Sequence, residues 1–222
     1  MPLLEVCAGS VESALNANSA KADRIELCAE LSVGGLTPSK GTIELVMELV
    51  DIPVYVLIRP RSGNFDYSIM EIEQMKEDVA FCAEKNCAGV VIGALTNERR
   101  IHERITYELM QAAGYMDVTF HRAFDETRNP FEALDTLREL GVQRVLTSGC
   151  APSAMQGYDM LGELLEEADD DIIIMPGGGI RSSNISQLLR LEAREYHSSA
   201  LIEGNRHSDM KEVKALLKKM NA

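Results

Sequence analysis

The chain has 222 residues, 45% hydrophobic and 26% charged, the composition of an ordinary globular protein rather than a disordered one. Thirty-five acidic against 22 basic side chains leave a net charge of −13, which argues against nucleic acid and anionic membrane as partners but leaves room for a small anion at a locally basic site. No apolar run approaches the ~18 residues needed to span a bilayer, and the first twenty residues hold Glu5 and Glu12 but no Lys or Arg, so no basic leader is expected and the protein reads as cytoplasmic.

Short β-branched or apolar runs alternate along the whole chain with amphipathic segments. Strands are predicted to begin near Leu3, Arg24, Val54, Gly89, Asp117, Val142, Asp171 and Glu195. The helices expected between them run from Ser10 to Asn18, from Pro38-Ser39 to Val50, from Tyr67-Ser68 to Asn86, and from Arg99 to Ala113. They continue from Pro130 to Leu140, Met155 to Ala168, Asn184 to Leu191 and Ser208 to Met220. Ser10 suits an N-cap, Pro130 suits a first helical turn, and Gly114 and Gly141 mark helix ends. Roughly one unit per 28 residues predicts a lean α/β fold, a single (β/α)8 TIM-like barrel over residues 1–222 with an irregular last unit. A doubly wound open sheet shares the alternation and is the competing architecture.

Period-2 reading of the strands locates the chemistry. In Leu3-Leu4-Glu5-Val6-Cys7, Glu5 and Cys7 share one face; in Arg24-Ile25-Glu26-Leu27-Cys28, Glu26 and Cys28 do the same. The opposite, apolar face must meet the helices, so the Glu-x-Cys-Ala repeat is expected to point into the barrel at its C-terminal mouth. Arg59 and Arg61 follow the third strand, His121 ends the fifth, and Glu195 and His197 lie in the eighth; Arg144 and Thr147 are left unassigned.

Three constellations follow. Cys7 and Cys28 occupy matching places on neighbouring strands, and two soft thiolates without a pair of His favour Cu(I) over zinc. The plain alternative is that both are small buried side chains. Cys150 is a candidate third ligand, and Cys82 and Cys87 read as packing residues. Gly177-Gly178-Gly179 follows the seventh strand, where barrels of this kind hold phosphate on backbone N–H groups. Gly178 and Gly179 with Arg59 and Arg61 therefore form a candidate anion site, unless these arginines only neutralise Glu5 and Glu26. His121, His197 and Glu26, with Glu5 and Asp125, are candidates for general acid–base work, while His102 and His207 are assigned nothing.

These residues sit in motifs that resemble the CutC copper homeostasis family. The motifs are Glu26-Leu27-Cys28, Gly34 to Ser39, Arg59 to Tyr67, Phe120 to Asp125, Val145 to Gly149, Gly177 to Ile180 with Asn184, and Glu195 to Ser199. They run in order from about Leu4 to Leu201. The resemblance implies a cytoplasmic TIM-like barrel with Cys7 and Cys28 as copper(I) ligands, and it brings no established reaction with it. The partners expected are a copper ion or a small anionic, phosphorylated metabolite, with self-assembly left open. An enzyme or sensor for that metabolite at the C-terminal face is the alternative to copper binding.

Overall fold

The computed structural model describes residues 1–222. Eight parallel strands alternate with eight helices. The strands are β1 Leu3–Ala8, β2 Arg24–Leu27, β3 Val54–Leu57, β4 Gly89–Ile92, β5 Asp117–Phe120, β6 Arg144–Thr147, β7 Ile173–Pro176 and β8 Glu195–Ser198. The helices are α1 Val11–Ala20, α2 Lys40–Leu49, α3 Ile69–Glu84, α4 Glu103–Ala113, α5 Pro130–Leu140, α6 Tyr158–Ala168, α7 Ile185–Leu188 and α8 Met210–Met220. The hydrogen-bonded order is β7-β6-β5-β4-β3-β2-β1-β8, a nearly closed barrel, as the alternation predicts and unlike the open doubly wound sheet.

Local chemistry fixes the element ends. Ser10, Ser39 and Ser68 accept from the N–H groups of Ser13, Thr42 and Glu71, and the Glu71 carboxylate accepts from the Ser68 N–H to complete a capping box. β6 and β7 begin two residues after the expected Val142 and Asp171. The Val142 and Asp171 N–H groups bond Leu137 and Ala168 at the ends of α5 and α6, and so cannot join the ladder. Irregularity falls one unit earlier than expected: α7 has only four residues and tightens into a 3-10 turn over Leu189–Leu191, whereas α8 is a regular helix of eleven. No helix is long and apolar enough to cross a membrane.

The apolar core lies between strands and helices, with Leu4, Val6, Ile25, Leu27, Val56, Ile58 and Ile92 all fully shielded from solvent. Inside the barrel Cys7, Cys28, Tyr55, Leu57 and Val91 form a small apolar cluster, and Leu146 and Met175 are buried as well, the Met175 sulfur accepting from Arg24. Charged side chains occupy the N-terminal end. Arg24 bonds Glu5 at 2.5 Å and also Glu195; Arg144 bonds Glu195 at 3.1 Å and Asp117 at 3.3 Å; Tyr55 donates to Asp117 at 2.6 Å. Both guanidiniums stack on the Tyr55 ring, 4.7 and 5.1 Å from its centre. This ladder closes the N-terminal end of the barrel and leaves the C-terminal end for a site.

Candidate functional site

The C-terminal mouth opens into a cavity of about 400 Å3. Cys7, Glu26 and His197 line its strand wall, Arg59, His121 and Arg122 its rim, and Gly178 and Gly179 the turn after β7.

Cys7 and Cys28 meet there, but not as matching partners. The β1–β2 register sets Glu5 beside Arg24 and Cys7 beside Glu26, so the two Glu-x-Cys repeats are offset by two residues. This stagger is the shear a closed barrel requires. Cys28 therefore sits two residues nearer the mouth, just past the end of β2, its N–H held by the Ala8 carbonyl at 3.0 Å. The sulfurs still approach diagonally to 3.5 Å, as free thiols. Both are buried, yet only Cys7 belongs to the cavity wall; Cys28 is packed beside it.

His197 reaches the same place from the neighbouring strand β8. Its Nδ1 lies 2.7 Å from a Glu5 carboxylate oxygen and its Nε2 lies 3.6 Å from Glu26. The ligand atoms of Cys7, Glu26 and His197 all lie within 4.8 Å of one another, and all three residues are buried. Burial pulls His197 down, but the charges of Glu26 and Glu5 outweigh it and hold the imidazolium above its usual range. Burial raises Glu5 too, but Arg24 and His197 prevail and bring it down to about 2. Glu26, lacking a guanidinium partner, stays raised by burial despite the pull of His197. The Cys28 thiol, burial and Glu26 together push the Cys7 thiol well above its ordinary value. Cys7 therefore rests protonated.

The expected anion residues separate. Gly178 and Gly179 have φ of 95° and 76°, which glycine adopts without strain, and neither N–H finds an acceptor in the protein. Arg59 lies across the mouth, after β3. It is buried, pairs with no carboxylate, and donates to the carbonyls of Val33, Gly35 and Gly63 at 2.8–3.1 Å. Thus it does not neutralise Glu5 or Glu26; Arg24 does that for Glu5. Arg61 is not in the cavity wall: it binds Glu71 at 2.6 Å and the carbonyls of Ser62, Asn64 and Asp66, closing its own loop. Arg122, unassigned from sequence, takes the place beside Gly178, bonded to Asp125 at 2.8 Å and to Ser148 at 2.7 Å.

His121 accepts from the Ala123 N–H through Nδ1 at 3.0 Å, so Nε2 carries its proton and has no partner. Burial and the Arg59 charge lower it to about 3, and it is neutral. Asp125 accepts from Thr147, Ser148 and the Cys150 N–H and organises the loop after β6. Cys150 itself is exposed on that loop and absent from the cavity wall. Cys82 and Cys87 are buried in the outer core.

Comparisons with known proteins identify relatives of this chain and of its fold. The CutC family model matches residues 2–202. The human copper homeostasis protein cutC homolog is 48% identical over 210 residues, covering 94% of this chain and 76% of that protein. A CutC family protein of Photorhabdus laumondii is 48% identical over 200 residues, 90% of this chain and 80% of its own. The solved CutC structure from Streptococcus agalactiae superposes with a TM-score of 0.84 at 31% identity, over 90% of this chain and 99% of that one. Thiamine phosphate pyrophosphorylase from Pyrococcus furiosus, at 14% identity and a TM-score of 0.67 over 99% of this chain and 95% of that one, shares the barrel alone. With its motifs, barrel and relatives in agreement, the chain belongs to the CutC family.

Proposed function

We propose that this protein serves copper homeostasis by holding one Cu(I) between the thiolates of Cys7 and Cys28. The observation that carries this reading is the 3.5 Å approach of two free, buried sulfurs beside the cavity. Relatives named copper homeostasis proteins support it. Metal–sulfur bonds of about 2.3 Å would set the sulfurs of a linear unit about 4.6 Å apart. The pair must therefore open by roughly 1 Å, within reach of a small χ1 adjustment. Because Cys7 rests protonated, uptake releases protons and apparent affinity rises with pH.

Titration with Cu(I) against a competing chelator tests this. The wild type should retain one equivalent. Cys7→Ser and Cys28→Ser should each weaken binding by more than the ~10–100-fold that loss of an outer hydrogen-bond partner causes. Full retention by the double variant would sink the proposal.

A second reading, an enzyme or sensor for a small phosphorylated metabolite, draws on the free N–H groups of Gly178 and Gly179 beside Arg122, with the uncompensated charge of Arg59 across the mouth. Inorganic phosphate should then raise the melting temperature of the wild type, and Arg122→Gln should reduce that rise at least threefold. An equal shift in both proteins, or none in either, removes this reading.

A further inference from the structure

We infer that Cys7, Glu26 and His197 form a binding site for a divalent cation of the zinc class, separate from the two-thiol pair and sharing only Cys7 with it. The donor atoms converge within 4.8 Å on three adjacent strands, β8, β1 and β2. Metal–ligand bonds of about 2.0–2.3 Å hold tetrahedral donors about 3.3–3.8 Å apart, so the set closes on an ion with small side-chain shifts.

The orientation of His197 is that of a metal ligand. The Glu5 carboxylate can only accept, so Nδ1 donates to it at 2.7 Å, and Nε2 is the nitrogen turned toward Glu26. A carboxylate holding the far nitrogen of a histidine is the usual support of a ligating imidazole. Arg24 in turn holds Glu5, which makes the support rigid.

Charge and access point the same way. Glu26 is buried with no guanidinium and no backbone donor; its ionic neighbour is His197 at 3.6 Å. One thiolate, one carboxylate and one neutral imidazole around a divalent ion sum to zero, which removes the cost of the buried carboxylate. Two thiolates around Cu(I) leave one negative charge instead. An ion entering from the cavity meets Cys7, Glu26 and His197, which line its wall, whereas Cys28 does not. The cavity side leaves a fourth coordination position open, the arrangement of an exchangeable rather than a sealed zinc site. Mixed S, N and O donors suit Zn2+ and Co2+ better than Cu(I).

The experiment separates this site from the thiol pair. Zn2+ is titrated against a chromophoric chelator, and Co2+ is added to read the thiolate-to-metal charge-transfer band, with wild type, Glu26→Gln, Cys7→Ser and Cys28→Ser. The inference expects one Zn2+ per wild-type chain and a Co2+ charge-transfer band. Glu26→Gln should bind Zn2+ at least ~10-fold more weakly while keeping Cu(I). Cys28→Ser should lose Cu(I) yet hold Zn2+ within about threefold, and Cys7→Ser should lose both ions and the band. Glutamine matches glutamate in shape and removes a buried charge, so Glu26→Gln should melt no lower than wild type, which a thermal melt confirms. The inference is overturned if Zn2+ follows Cys28 rather than Glu26, or if the wild type binds no Zn2+.

Discussion

Replacing Arg24 with methionine should destabilise the barrel by about 3–5 kcal/mol, the cost of leaving buried carboxylates unpaired. Arg24 is the cation shared by Glu5 and Glu195, and all three are buried. Methionine fills much of the volume, so the loss reports the missing charge, including its stacking on Tyr55, more than lost packing. Arg144 still reaches Glu195 but not Glu5, which would be left with His197. Urea unfolding checks the value, with an unchanged slope indicating that the unfolded state is the same. A loss below about 1 kcal/mol would mean that Glu5 and Glu195 relax or protonate at little cost, and that the ladder does not hold the lower barrel together.

How much of this the sequence shows depends on whether the information is local. Strand faces are local, and the Glu-x-Cys repeat correctly reads as interior because a period of two allows only two choices. The meeting of His197 with Glu5 and Glu26 follows from barrel closure, which sets β8 beside β1. Register is not local: nothing in either Glu-x-Cys repeat reveals the offset that places Cys7 beside Glu26. Nor does the sequence choose which arginines enter. Arg59 and Arg61 stand out on a turn with Pro60, yet Arg24 and Arg144, each the first residue of its strand, neutralise the interior carboxylates. The period of two puts Arg24 on the face of Glu26 and Cys28, but whether an arginine at a strand start ends in solvent or pairs inside depends on which carboxylates the closed barrel brings to it. Arg122 was hidden for a related reason. It lies in a motif whose geometry, a 3-10 turn after β5 capped by His121, exists only once that turn has formed.

Acidification from about pH 5 to pH 2 should remove roughly 3 kcal/mol of stability through Glu5. Its folded value of about 2 lies below the usual 4.5, because Arg24 and His197 outweigh the burial that would raise it. A depressed carboxylate stabilises above its unfolded pKa and loses that contribution as pH falls through the folded one. Glu26 acts in the opposite sense. Raised by burial, it favours folding as it takes up a proton, so it offsets part of the loss from Glu5 as pH falls from its folded value toward 4.5. His197, raised by Glu26 and Glu5 against the pull of burial, contributes fully below 6.5 and loses that contribution as pH climbs through its folded value. It is therefore constant across the acid window, and the slope between pH 5 and 2 belongs to carboxylates. Urea unfolding at several pH values should show the fall in wild type and a shallower one in Glu5→Gln, which is less stable at pH 7 but has no Glu5 proton to gain. Equal slopes in the two proteins would show that Glu5 is not the ionised partner of Arg24. Glu26→Gln should be at least as stable as wild type at pH 7, since the carboxylate it removes is held raised and without a guanidinium.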